Sequence, residues 1–221
     1  LRLRPAARGG EAPIGGNALS GLTHAFGSTY LLNIGLYMLL YTITSTFLYF
    51  EQASIVQRSF ADRAARTAFF AQVDLLVNVL TLGIQVFLTD RILRALGVAL
   101  TLTLLPALSM VGFVPLGLLP TVAIIVMLQV LRRTGNFSVA RPTREVLFTV
   151  IPREDKYKAK SFIDTGVYRS GDQIGAWSYA LLSALGLGMT GIAFVAVPIS
   201  AAWVLNGFWL GREQEAMAAE Q

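Results

Sequence analysis

The sequence predicts an all-α membrane protein of six transmembrane helices. Three observations carry that expectation. Hydrophobic residues make up 54% of the chain and charged residues only 14%, with a mean hydropathy of +0.59, well outside the soluble range. The apolar residues come in long blocks, and about 20 of them suffice to cross a bilayer. A length of 221 residues then leaves room for roughly six spans with short loops. The chain has no cysteine, which excludes a disulfide framework and a thiolate metal site. A net charge of +5 follows from Lys- and Arg-rich cytoplasmic loops and does not call for a nucleic-acid partner.

Residues 1–26, opening LRLRPAARGGEAPIGG, form a basic, Pro/Gly-rich lead-in without the apolar core of a signal peptide. They read as a cytoplasmic linker from a longer chain. The bundle is expected over 27–211. Its first span, about 29–57, is unusually polar: Tyr30, Asn33, Tyr37, Tyr41, Thr44, Leu48 and Glu51 step by three or four residues and share one face. Such a stripe needs water or a partner. The second span, about 67–89, repeats the pattern with Asp74, Asn78, Thr81 and Gln85.

TDRILRALG then sets Asp90, Arg91 and Arg94 in a tight turn between two apolar helices. The third span, about 93–114, offers only Thr101, Thr103 and Ser109, hydroxyls that bond to their own helix backbone. Pro106 is expected to kink it, and it reads as a lipid-facing or supporting helix. The fourth, about 121–139, carries Gln129, Arg132, Arg133 and Asn136 in its second half, and either arginine can snorkel to the interface.

From Arg132 to Asp172 the chain crowds much of its charge, including every lysine, Lys156, Lys158 and Lys160. Most of this interlude reads as a cytoplasmic loop. The fifth span, about 161–187, opens with Asp164, Thr165, Tyr168, Arg169 and Asp172 inside an arc of roughly 140°. The sixth, about 192–210, is plain, with Trp203 and Trp209 as interface anchors, and 212–221 is a polar cytoplasmic tail. With the start inside, most of the 18 Lys and Arg face the cytoplasm, so both termini are expected there. A bacterial inner membrane is the expected location.

Spans one, two, four and five carry polar stripes, while three and six do not. A charge at membrane depth costs at least a few kcal/mol, about 3 on insertion scales, so the four polar helices most simply surround a wet cavity and the other two support them. That division is the one expected of half a major facilitator transporter, in which two six-helix bundles rock about a midplane site. The Asp90, Arg91, Arg94 turn resembles the superfamily's cytoplasmic loop motif, which locks neighbouring helices. Val86 and Leu93 stand where that motif has glycines.

The segment RPTREVLFTVIPREDKYKAKSFIDTGVYRSGD is similar to the ATP/ADP translocase family of obligate intracellular bacteria and plastids, and to its relatives in free-living bacteria. The likeness covers essentially the whole chain as that family's C-terminal half. It implies a nucleotide antiporter exchanging ATP and ADP by alternating access, completed by an N-terminal six-helix half or by a second copy. It also implies a functional glutamate at Glu51 and a functional lysine within Lys156 to Lys160.

In physical terms, Arg132, Arg133 or Arg169 would take phosphate oxygens bidentately, with Asp164 and Asp172 holding the arginines. Glu51 would gate by pairing with a cation, and Tyr37 and Tyr41 would stack on a base. Each residue also has a plainer role: anchoring for the lysines, an inter-bundle contact for Asp74 and Asn78, an interfacial carboxylate for Glu51 and packing for the tyrosines. No phosphate-binding loop, paired-carboxylate or nucleophile-His arrangement occurs, so neither an enzyme nor a cofactor is expected. The same residues also suit a transporter of another anionic or small solute, or a non-transporting scaffold in the lipid bilayer.

Overall fold

The computed structural model describes residues 28–151 and 153–220; the basic lead-in lies outside the described residues, as does the Lys158 side chain. Among the described residues the chain is helical throughout apart from short connections. Helix α1 spans Thr29–Ser59, α2 Arg63–Phe87 and α3 Thr89–Leu118. The next helical run starts as α4, Val122–Gly135, widens into a π-turn at Asn136–Ala140 and ends as α5, Arg141–Leu147. After a short turn come α6, Arg153–Phe162, a second π-turn at Ile163–Val167 and α7, Tyr168–Ala184, followed by α8, Met189–Ala219. Five of these stretches are long and apolar enough to cross a bilayer: α1, α2, α3, the run Val122–Leu147, and α8.

Local chemistry sets several helix ends. The Asp62 carboxylate accepts from the Ala65 N–H to cap α2, and the Thr121 hydroxyl accepts from the Ile124 N–H to cap α4, each satisfying an N–H that has no intrahelical partner. Within α3 the dihedral break falls at Gly97, with φ 72° and ψ 179°, rather than at Pro106. Only glycine takes that conformation readily. The helix restarts at Val98, and the Glu215 carboxylate of α8 accepts from the N–H groups of Val98 and Ala99 at 2.9 and 3.1 Å.

Two large apolar clusters hold most of the bundle, and a third, smaller one joins Val73 and Val77 of α2 to Val130 of α4. The first gathers Tyr30, Ile34, Tyr37, Leu102, Leu105, Leu147 and Trp203. The second gathers Phe47, Leu48, Phe113, Leu116, Ile125 and Ala196. Helices α3 and α8 pack closely enough that a Cβ on Gly211 would sit 2.1 Å from the Ala99 Cα. Helix α2 is the outlier, burying only Val73 and Val77.

The π-turn after α4 has its own supports. A π-turn leaves carbonyls out of the i to i+4 ladder, and here the Gln85 amide donates to the Phe137 carbonyl at 3.0 Å while the Thr89 hydroxyl donates to the Ser138 carbonyl at 2.7 Å. Two side chains at the end of α2 and the start of α3 therefore clamp the widened turn.

Several sequence expectations change. The interlude from Arg132 to Asp172 is mostly helix, because the fourth span runs on to Leu147 and α6 begins at Arg153. Asp90, Arg91 and Arg94 lie on helix, not in a tight turn, and Arg94 pairs with Asp90 one turn away. Both members of that pair are exposed, and among the described residues neither bonds to a neighbouring helix. The tail is helix to Ala219, with Gln214 buried and Glu215 capping α3. Trp203 is fully buried in the core instead of sitting at an interface, while Trp209 stays exposed. The third span packs into the bundle through buried Thr101, Leu102 and Ser109, and its three hydroxyls do bond to their own helix carbonyls.

Candidate functional site

A cavity of about 740 Å³ opens between α1, α2, the α4 run and α7. Among the described residues its lining comes from those helices: Tyr41, Ser45, Thr46, Tyr49, Phe50 and Gln52 from α1, Phe70 and Asp74 from α2, Gln129, Arg132, Arg133 and Phe137 from the α4 run, and Asp172 from α7. None of α3 or α8 is part of the lining among the described residues. The volume is in the range that takes a drug-sized ligand.

Arg132 dominates the polar chemistry. It is 3% exposed, so it does not snorkel. Its Nε donates to the Ser109 hydroxyl at 2.8 Å and its Nη1 to the Ser45 hydroxyl at 3.0 Å. Its Nη2 donates to the Thr44 hydroxyl at 2.6 Å and the Tyr41 carbonyl at 3.2 Å. The guanidinium carbon lies 5.4 Å from the Tyr41 ring centre and 5.8 Å from that of Trp203, within cation–π range. Every partner is neutral. Among the described residues no carboxylate lies within salt-bridge distance of it.

Arg133 is half-buried and bonds to Asp74 across the cavity at 2.5 Å. That pair ties α4 to α2 and cancels the second arginine's charge. Gln129, one turn before Arg132, bonds to Gln52 of α1. Asp172 is half-buried at the α7 wall. The aromatic side chains of Tyr49, Phe50, Phe70 and Phe137 supply most of the remaining lining.

The stripe on α1 largely points elsewhere. Tyr37 is 2% exposed, its hydroxyl donates to the Leu102 carbonyl at 2.8 Å, and its ring meets Trp203 edge-on at 5.3 Å. No face of Tyr37 is open to a base. Tyr30 donates to the Leu147 carbonyl, and Asn33 accepts from Asn206. These polar groups therefore stitch α1 to the helices behind it. Tyr41 is the member of the stripe that reaches the cavity.

Glu51 is buried inside the bundle. It is 1% exposed, two turns before the end of α1. One carboxylate oxygen accepts from the Tyr179 hydroxyl at 3.4 Å and the other has no partner. It lies outside the cavity lining, and no cation pairs with it among the described residues.

The remaining candidates scatter. Asn78 is exposed, and Asn136 is buried in the π-turn. Asp164 and Arg169 are exposed rather than buried, and Asp164 faces Arg144 at 3.8 Å. The expected pairing of Arg169 with Asp172 is absent from the ion pairs of the described residues. Lys160 bonds to Glu145 and lies over the Phe148 ring, while Lys156 is half-buried. Among the described residues, Lys156, Lys160, Asp164 and Arg169 are not part of the cavity lining.

The structure brings together Tyr41, Asp74, Arg132, Arg133 and Asp172, and adds residues the sequence reading did not select. Ser45 and Gln52 lie two turns apart on α1, so a search for polar residues on that helix, like the one that singles out Gln129 one turn before Arg132, finds them. Phe70 and Phe137 carry no such signal. Comparison with family models, curated proteins and solved structures gives no match for this chain.

Proposed function

We propose that this chain is half of an alternating-access transporter for anionic solutes, with nucleotides such as ATP and ADP as the first candidates and a second six-helix half or a second copy closing the pathway. The observation that carries this reading is Arg132, a buried cation with only neutral partners, set in a cavity lined by four helices. A fixed positive charge at membrane depth is costly unless it serves a ligand or an ion path. Hydroxyls and a carbonyl hold it in place without cancelling its charge, which leaves electrostatic demand for an anion. The resemblance of the segment from Arg141 to Asp172 to nucleotide exchangers supplies the cargo.

Reconstitution of the protein with its partner half in liposomes loaded with ADP tests the proposal. Labelled ATP should enter in exchange, and Arg132→Gln should stop it. Absence of uptake for every labelled nucleotide and every small anion tried would refute transport. A second reading keeps the fold and replaces the cargo with a smaller organic anion. It is favoured by the Arg133–Asp74 pair, which removes one of the two arginine charges a polyphosphate would use.

A further inference from the structure

The charge available in the cavity falls short of what a polyphosphate carries. Arg133 is bonded to Asp74, which leaves Arg132 as the one lining cation, among the described residues, without a carboxylate partner. A guanidinium has five N–H donors, and four hydrogen bonds to neutral oxygens occupy Arg132, so one donor on Nη1 is left. Asp172, also in the lining, repels a second anionic group. Lys160 is taken by Glu145, and Arg144 and Arg169 lie outside the lining.

The other half of the lining has a different chemistry. Tyr49, Phe70 and Phe137 are exposed side chains on three different helices, and with Phe50 they give the cavity a ring-rich wall. Aromatic faces of this kind stack on flat ligands with little regard to the identity of the ring.

We propose that the cavity selects an organic anion with one anionic group and one flat ring, the anion placed at Arg132 and the ring against the aromatic wall, in preference to a di- or triphosphate. This sharpens the second, smaller-anion version of the transport reading and rests on transport, not on ATP or ADP as the cargo. A phosphate monoester such as a nucleoside monophosphate and an aryl carboxylate share that chemistry, so both belong in the test.

Thermal unfolding of the purified chain in neutral detergent, at fixed ionic strength, is followed with phenyl phosphate, cyclohexyl phosphate, inorganic phosphate, benzoate, AMP and ATP as probes. Phenyl phosphate is expected to half-saturate at least tenfold below inorganic phosphate and about fivefold below cyclohexyl phosphate, a spread in keeping with ring-stacking gains. AMP should bind more tightly than ATP. Benzoate above phenyl phosphate supports a carboxylate source, and the reverse order a phosphate source. Arg132→Gln should abolish the response to every probe. Phe137→Leu, outside the hydroxyl nest, should narrow the gap between phenyl and cyclohexyl phosphate and leave inorganic phosphate unchanged, so the proposal stays testable if the arginine variant does not fold. ATP binding above AMP, or inorganic phosphate equal to phenyl phosphate, overturns the selectivity while liposome exchange can still uphold transport. Silence from all six probes beside measurable exchange overturns this cavity as the site, and silence in both assays overturns the transport reading as well.

Discussion

Arg132 is a buried cation whose removal should cost binding far more than stability. Replacing a buried ion by an apolar side chain of similar volume is often neutral in stability, since the desolvation cost disappears with the charge. Thr44 and Ser109 already bond to carbonyls of their own helices, so they are not orphaned. Arg132→Met is therefore expected to change the unfolding free energy in detergent by no more than about 1 kcal/mol, while the response to anions is lost. Asp74→Asn acts the other way, freeing Arg133 for the cavity. Affinity for ATP should rise about fivefold relative to AMP, the scale of one partly screened charge pair at about 1 kcal/mol. Calorimetric titration of the two nucleotides checks it, and an unchanged ratio would mean that Arg133 does not reach the ligand.

At the level of elements, the junction of α3 and α8 is the most sharply specified contact in the bundle. Glu215 serves as an N-cap supplied from another helix, and it does so because Gly97 interrupts α3 and exposes the N–H groups of Val98 and Ala99. Loss of such a cap costs about 1 kcal/mol, which is the expected destabilisation of Glu215→Ala in thermal or denaturant unfolding. Gly211→Ala should cost more, about 1–3 kcal/mol, because its Cβ would meet backbone atoms of Ala99 and backbone yields less readily than a side-chain tip.

The same elements show what the sequence made legible. Helix positions followed from long apolar runs, and α1 begins and ends within two residues of its expected bounds. The stepping of Asp74 and Gln85 along α2 marks one polar face, but read as an inter-bundle or water-facing stripe it does not reveal that both side chains bond to the α4 run of this same bundle. Which side of a stripe faces the cavity was not legible, since that depends on where α3 and α8 pack: Tyr30 and Tyr37 are used up behind α1, while Ser45 and Gln52 on another side reach the space. The charge clusters read as loop because side chains alone do not reveal that a helix continues beyond its apolar run, as the fourth span does to Leu147. Glu145 and Arg144 are carried on α5, where they meet Lys160 and Asp164 from the segment after the turn.

For the whole molecule, the number of crossings is the first open quantity that the structure makes testable. Five stretches are long and apolar enough to span, and the helical stretch from Arg153 to Ala184 would be the sixth. If it crosses, single cysteines placed at Ser28 and at Glu220 should label from the same side of a sealed vesicle; labelling from opposite faces would show an odd number of crossings. The absence of native cysteine keeps such experiments clean.

On the proposed transport reading, α1, α2, the α4 run and α7 surround a wet space whose electrostatics are set by Arg132, which has no carboxylate partner among the described residues. Ser45 lines that space beside the Arg132 Nη1. A cysteine introduced there (Ser45→Cys) in the reconstituted protein is treated with thiol reagents of equal size carrying a sulfonate or a trimethylammonium group. Field focusing in a low-dielectric cleft raises local counter-ion concentration by about tenfold or more, so the anionic reagent should react about tenfold faster, and adding Arg132→Gln should erase the preference. No reaction with either reagent, or faster reaction with the cation, would contradict the account.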